Sequence, residues 1–269
     1  MRRGESGQAI VEAAFVLPAM IFLILCAIQL TQIQQARLLT DYAAFNAARA
    51  GIVHNGDNGD SDGFSDGPMY DAAALSLAPS LGRSDSFTEV AKRVAAVKLL
   101  DAALGRFKLS RVRVYVRNPK QADFARFGKH LNGREIDFDD VRPGATDATL
   151  LEIQVRYLYE LRIPFANKLI QTIWMATHVR SGSGSLNALD GWTGWDMTSP
   201  RAFTPTGPDA VELTRILALA AKYDDGTPEQ VNLGALVAAA RLTGRYYLPL
   251  EAYYTMRMQS NPFRKWAHP

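Results

Sequence analysis

One cysteine, Cys26, and four histidines (His54, His130, His178 and His268) are all the thiol and imidazole this chain has in 269 residues. A lone thiol excludes an intrachain disulfide framework and a cysteine-based zinc site. The histidines stand far apart, with no HxxxH or HExxH pair among them, so no metalloprotease helix is present. Charge of one sign is scarce as well. Lys plus Arg number 30 and Asp plus Glu 27, a net charge of +3. An excess that small and dispersed argues against nucleic acid as a partner. No Walker loop and no GxGxxG appears, so no nucleotide-dependent enzyme is indicated. The apolar share of 48% is ordinary, enough for a buried core in one large domain or two small ones.

What the chain does have stands at its start. After the short polar stretch Met1–Gly7 with Arg2 and Arg3, the sequence turns apolar, and Ala13 to Ile28 runs without a charge. Extended from Ala9 to Ile33, the run holds one charge, Glu12, and polar Gln29, Thr31 and Gln32 only at its far end. A membrane-crossing helix needs about 20 apolar residues, so this segment suffices. Arg2 and Arg3 precede it and no Lys or Arg follows until Arg37, which places the N-terminus in the cytoplasm and the rest beyond the inner membrane. No A-x-A-like site follows the run, against a cleaved secretory signal. The flank Ile24-Leu25-Cys26 does not fit a lipobox.

A plain anchor leaves Glu12 unexplained. A carboxylate in a membrane span costs roughly 2.5–3.5 kcal/mol at the centre, less toward the edge, and such a residue ordinarily has a partner and a purpose. Gly7-Gln8-Ala9-Ile10-Val11-Glu12 resembles a type IV prepilin processing site. In that family a peptidase cuts after the glycine and a glutamate stands fifth in the mature chain. The longer stretch Gly7 to Pro18, the alanine-arginine end of the first helix at Ala47-Ala48-Arg49-Ala50-Gly51, and the C-terminal Leu248 to Asn261 are similar to the TadE/TadF-like pseudopilins of the Tad (tight adherence, Flp) pilus. Glu12-Ala13 in place of Glu-Tyr, and the chain's length, set it apart from the major Flp pilins.

The resemblance implies a minor pilin-like structural subunit, not an enzyme, that primes or caps fibre assembly. Residues 1–7 are then the leader, Gly7 and Gln8 the processing site, and Glu12 the assembly residue. A cation and a carboxylate in lipid stabilise each other where neither is tolerable alone. If Gln8 supplies the new α-amine and a neighbouring subunit the carboxylate, the pair fixes register in a head-to-tail stack. Implied partners are a prepilin peptidase, other Tad/Flp pilins and pseudopilins, inner-membrane platform proteins and the membrane, with the cell surface as a further location in the fibre. A membrane-anchored scaffold of the same machine, and an anchored periplasmic binding module or enzyme, are the alternatives.

Pro18 removes an amide and crowds the carbonyl of Ala14, giving either a fixed bend or a hinge. No Gly or Pro interrupts Ala19 to Ala50, so one helix is expected from residue 9 to about 53, with its membrane part over 8–33 and its periplasmic part over 34–53. The expected fold is α+β and type IV pilin-like: this helix packed on an antiparallel sheet in a head over 54–269, with added helices and an insertion at 165–243. The acidic stretch after the helix holds Asn58, Asp60, Asp62 and Gly63, the alternating oxygens and turn glycine of a calcium loop, with Asp66 at its ninth position. Met69 stands where the bidentate glutamate belongs. Two readings remain: a plain polar turn with no cofactor, or a calcium site completed by Asp57 or Asp71.

Further on, residues 69–77 read as a short helix. Ser86-x-x-Glu89 is a capping box for a helix to Leu104. Arg111–Arg117 and Leu151–Leu161 alternate as strands. The arginines of the first read as its solvated face, or less simply as a phosphate stripe. Residues 120–148 read as a polar connection, 165–179 as a helix and 245–258 as a third strand. Pro249 in that strand suggests an edge or a bulge. Trp192 and Trp195 are either anchors of their own loop or contacts for a partner.

Overall fold

The structure is a computed structural model, and it describes residues 5–54, 67–82, 85–104, 110–179, 236 and 245–264. It begins with one helix, α1 (Glu5–His54), about 75 Å long at 1.5 Å per residue. Pro18 lies inside it without ending it. From Gln29 onward one stripe is buried: Gln29, Ile33, Ala36, Thr40, Ala43, Ala44, Ala47, Ala48 and Ile52. The steps of three and four are those of one helical face.

Small residues on that stripe let other elements approach closely. A β-carbon on Gly51 would stand 2.7 Å from Leu151 Cδ2 and 2.9 Å from Met69 Sδ. Met69 belongs to α2 (Pro68–Leu77), which packs along α1. Asn46 Nδ2 donates to Ser76 Oγ at 2.8 Å across that contact. A 3-10 turn, Ala78–Leu81, follows α2, and Pro79 falls within it.

Helix α3 (Phe87–Leu104) starts where the capping residues require. The Ser86 hydroxyl accepts the Glu89 N–H at 3.4 Å, and the Glu89 carboxylate accepts the Asp85 N–H at 3.0 Å. Near its end, Asp101 ties three elements together. Its carboxylate accepts from Tyr70 Oη at 2.7 Å, from the Val112 N–H at 3.1 Å and from the Arg111 N–H. Burial pushes the Asp101 carboxyl above the usual carboxylate range, and these hydrogen bonds oppose the push.

The sheet is β1 (Val112–Asn118), β2 (Leu150–Leu161) and β3 (Tyr246–Arg257), antiparallel in the order β1-β2-β3. Leu151, Ile153, Val155, Tyr157, Tyr159 and Leu161 are all buried and share the face that packs on α1, as their alternation predicts. Pro249 pairs with Leu158, whose N–H donates to Arg111 O at 2.7 Å on the β1 side. The proline nitrogen therefore faces the outer edge, where it interrupts no ladder bond and blunts the edge.

Two expectations are corrected here. The arginines of Arg111–Arg117 are not a solvated face. Arg111 Nη2 pairs with Glu160 Oε2 at 2.7 Å with both side chains largely buried, and Arg113 is half-buried in register with Arg156. Arg156 is buried with its guanidinium 5.3 Å from the centre of the Tyr115 ring, so the second face of the sheet is buried along the middle of β2, while Glu251, Tyr253 and Thr255 of β3 stay exposed on it. Nor is 120–148 a mere polar connection. It contains α4 (Gln121–Phe127) and α5 (Ala145–Ala148), and Phe124, Phe127, Ile136, Ala145 and Ala148 form a small core of their own. The chain after β3 pins this unit, with the Ile136 N–H donating to Pro262 O at 3.2 Å and the Phe138 N–H to Asn261 Oδ1 at 3.0 Å. Helix α6 (Ala166–Val179) packs on α1 and β3.

Candidate functional site: the exposed half of the first helix

The site is the part of α1 that the head leaves bare. From Ile10 to Ala27 and Ile28 the helix surface is exposed all round, apart from half-buried Leu25 and Cys26. Phe15 is 78% exposed and Ile10 70%. This is the reverse of what a water-soluble helix does with such side chains. Residues 10–28 span about 28 Å, against a hydrocarbon core of about 30 Å. Among the described residues, α1 is the one helix long and apolar enough to cross a membrane.

The boundary is set by side chains. Gln29 is buried, and its Oε1 accepts the Ile163 N–H at 2.8 Å. Tyr159 Oη donates to Gln32 Oε1 at 3.4 Å. The head thus takes hold of α1 at the first polar residues after the apolar run. At the other end of that grip, Ser260 Oγ donates to Ile52 O at 2.9 Å, satisfying one carbonyl of the last helical turn.

Gly7 and Gln8 lie in the first turns of α1. Glu12 is exposed on the helix surface, within the apolar run. Pro18 falls mid-run and leaves the Ala14 carbonyl without its usual helical amide. The helix therefore presents one carboxylate near the entrance of a stretch suited to lipid.

Asn58, Asp60, Asp62 and Asp66, with Asp57, lie outside the described residues, as do Trp192 and Trp195. Asp71 is on α2 with Oδ1 accepting from Lys98 Nζ at 2.9 Å. No group of three or more metal-ligating side chains occurs among the described residues. One GxSxG spacing, Gly59 to Gly63, falls in the same acidic stretch outside the described residues.

The sequence motifs do not reveal the grip at Gln29 or the clasp at Asp101. In the sequence Gln29 is only a polar residue closing the apolar run. Asp101 has no sequence signal beyond its place near a helix end.

The family model of the TadE-like proteins matches residues 7–49, nearly the whole of α1 and nothing of the sheet. Comparison with curated proteins and with solved structures finds no match. The N-terminal segment is TadE-like, and the match supports a protein associated with the Tad pilus. TadE-like proteins are structural components of that machine, not enzymes.

Proposed function

We propose that this protein is a minor pilin-like subunit of a Tad pilus machine, held in the inner membrane by residues 10–28 of α1 and processed between Gly7 and Gln8. The observation that carries the reading is one helix with two surfaces. A bilayer-length stretch is bare and TadE-like, and the next stretch is gripped by an α+β head. Cytoplasmic Arg2 and Arg3 and a periplasmic head follow from the positive-inside rule. A prepilin peptidase is the processing partner. Other Tad pilins, pseudopilins and the platform proteins of the inner membrane are the assembly partners.

Cleavage after Gly7 would leave an α-amine on Gln8, four residues before Glu12. An amine and a carboxylate at that depth are each costly and together compatible with lipid. Offered by different subunits, they set a repeating axial step, and a head-to-tail contact of this kind builds open assemblies. Glu12→Ala removes the carboxylate and leaves the cleavage site in place. The expected result is normal maturation with at least a several-fold loss of the subunit from sheared fibres. Wild-type incorporation would favour a scaffold that stays in the membrane.

A further inference from the structure

We infer that the turn Ile163-Pro164-Phe165 is a second lipid contact, which seats the membrane-facing end of the head in the headgroup layer of the bilayer that α1 crosses. This rests on the anchor reading above. The turn is fixed to the boundary itself, because the Ile163 N–H is held by Gln29 Oε1 at 2.8 Å. Leu25 and Cys26, one turn deeper along α1, are half-buried.

The turn's chemistry suits that depth. Pro164 is exposed and Phe165 is 65% exposed. Phe165 also adopts a left-handed backbone, φ 66°, which is strained for a residue with a β-carbon. The strain is maintained locally: the Ala166 N–H donates to Pro164 O at 2.8 Å and the Asn167 N–H to Ile163 O at 3.0 Å. A strained backbone that holds an aromatic ring out of the core is unfavourable twice over in water. In a bilayer interface the ring is buried and the second cost disappears. Within α6, Leu169 and Ile173 share one side at helical spacing, and Ile173 is exposed. Arg162 stands beside the turn, exposed, with Nη2 donating to Ser80 O at 3.0 Å. A cation beside an apolar turn suits a membrane surface, where its head stays in the polar layer. Other exposed apolar residues such as Phe87 and Val141 have no such tie to the boundary.

The single cysteine makes the test direct. In a Cys26→Ala background, Phe165→Cys, Phe22→Cys and Val141→Cys each receive a nitroxide label in the full chain. The chain is reconstituted in nanodiscs of phosphatidylethanolamine and phosphatidylglycerol. Relaxation by oxygen, which partitions into lipid, is compared with relaxation by a water-soluble nickel chelate. The expected result is nickel access at position 165 at least several-fold below that at 141, with 22 the most protected. Nickel access at 165 equal to that at 141, with 22 still protected, would overturn the lipid contact alone. Nickel access at 22 as well would overturn the anchor and this contact with it.

Discussion

The two halves of α1 are parts of one helix, yet one is bare and the other gripped. Below Gln29 the large side chains point in every direction. Phe15, Val16, Leu17, Met20 and Leu23 are all exposed. Above it the large side chains thin out, and the buried stripe is mostly alanine: Ala36, Ala43, Ala44, Ala47 and Ala48. Bulk all round suits a solvent that is itself apolar. Smallness on one face suits a solid neighbour that must come close. In the anchor proposed above, the change from one to the other is where lipid ends and protein begins.

That contrast can be broken from the gripped side. Gly51→Val puts methyl groups where even a β-carbon would crowd Leu151 and Met69. It should cost the head roughly 1–3 kcal/mol by overpacking. Denaturant unfolding of the detergent-solubilised chain checks this. Phe15→Ala, a larger change in volume on the bare half, should leave the same transition where it was.

The boundary residue gives a finer test. Gln29→Leu deletes the acceptor of the Ile163 N–H and should destabilise the head by about 1 kcal/mol, since the amide it leaves is only half-buried. Amide exchange at Ile163 should speed up in step. If position 29 faced lipid, the same change would be neutral or stabilising.

The smallest effect lies far from α1. Arg142 Nε donates to both Asp140 oxygens, at 3.0 and 2.8 Å, and these bonds hold the Asp140 carboxyl well below the usual carboxylate range. A carboxyl lowered by folding stabilises the fold above its unfolded value of 3.8, and that stabilisation is lost as pH falls toward the folded value. Arg142→Met should therefore move the acid unfolding of the 120–148 unit slightly upward in pH, as followed by amide exchange around Phe124 and Ile136. Unchanged acid behaviour would show that the pair contributes nothing there.

Much of this contrast is legible in the sequence, because it is written in periodicity. The apolar run ending at Gln29, the alternation from Leu151 to Leu161, the cap at Ser86 and Glu89, and the edge proline at Pro249 all act over a few residues. What stays hidden depends on distant chain. Arg113 alternates with apolar residues and so reads as solvated, and only the folded chain shows it half-buried in register with buried Arg156. Phe124 and Phe127 are a pair too brief to announce a helix, and their core is completed by Ile136 and pinned by Pro262 and Asn261. The grip at Gln29 needs Ile163, far along the chain, to give a glutamine in an apolar helix its meaning.

The central claim is that the bare, TadE-like half of α1 is a processed subunit terminus and not an uncut tether. Intact-mass and N-terminal sequence measurement of the protein from native envelopes tests it most directly. The account predicts a chain that begins at Gln8, with Gly7→Lys retaining residues 1–7. A wild-type protein that still begins at Met1 would contradict it.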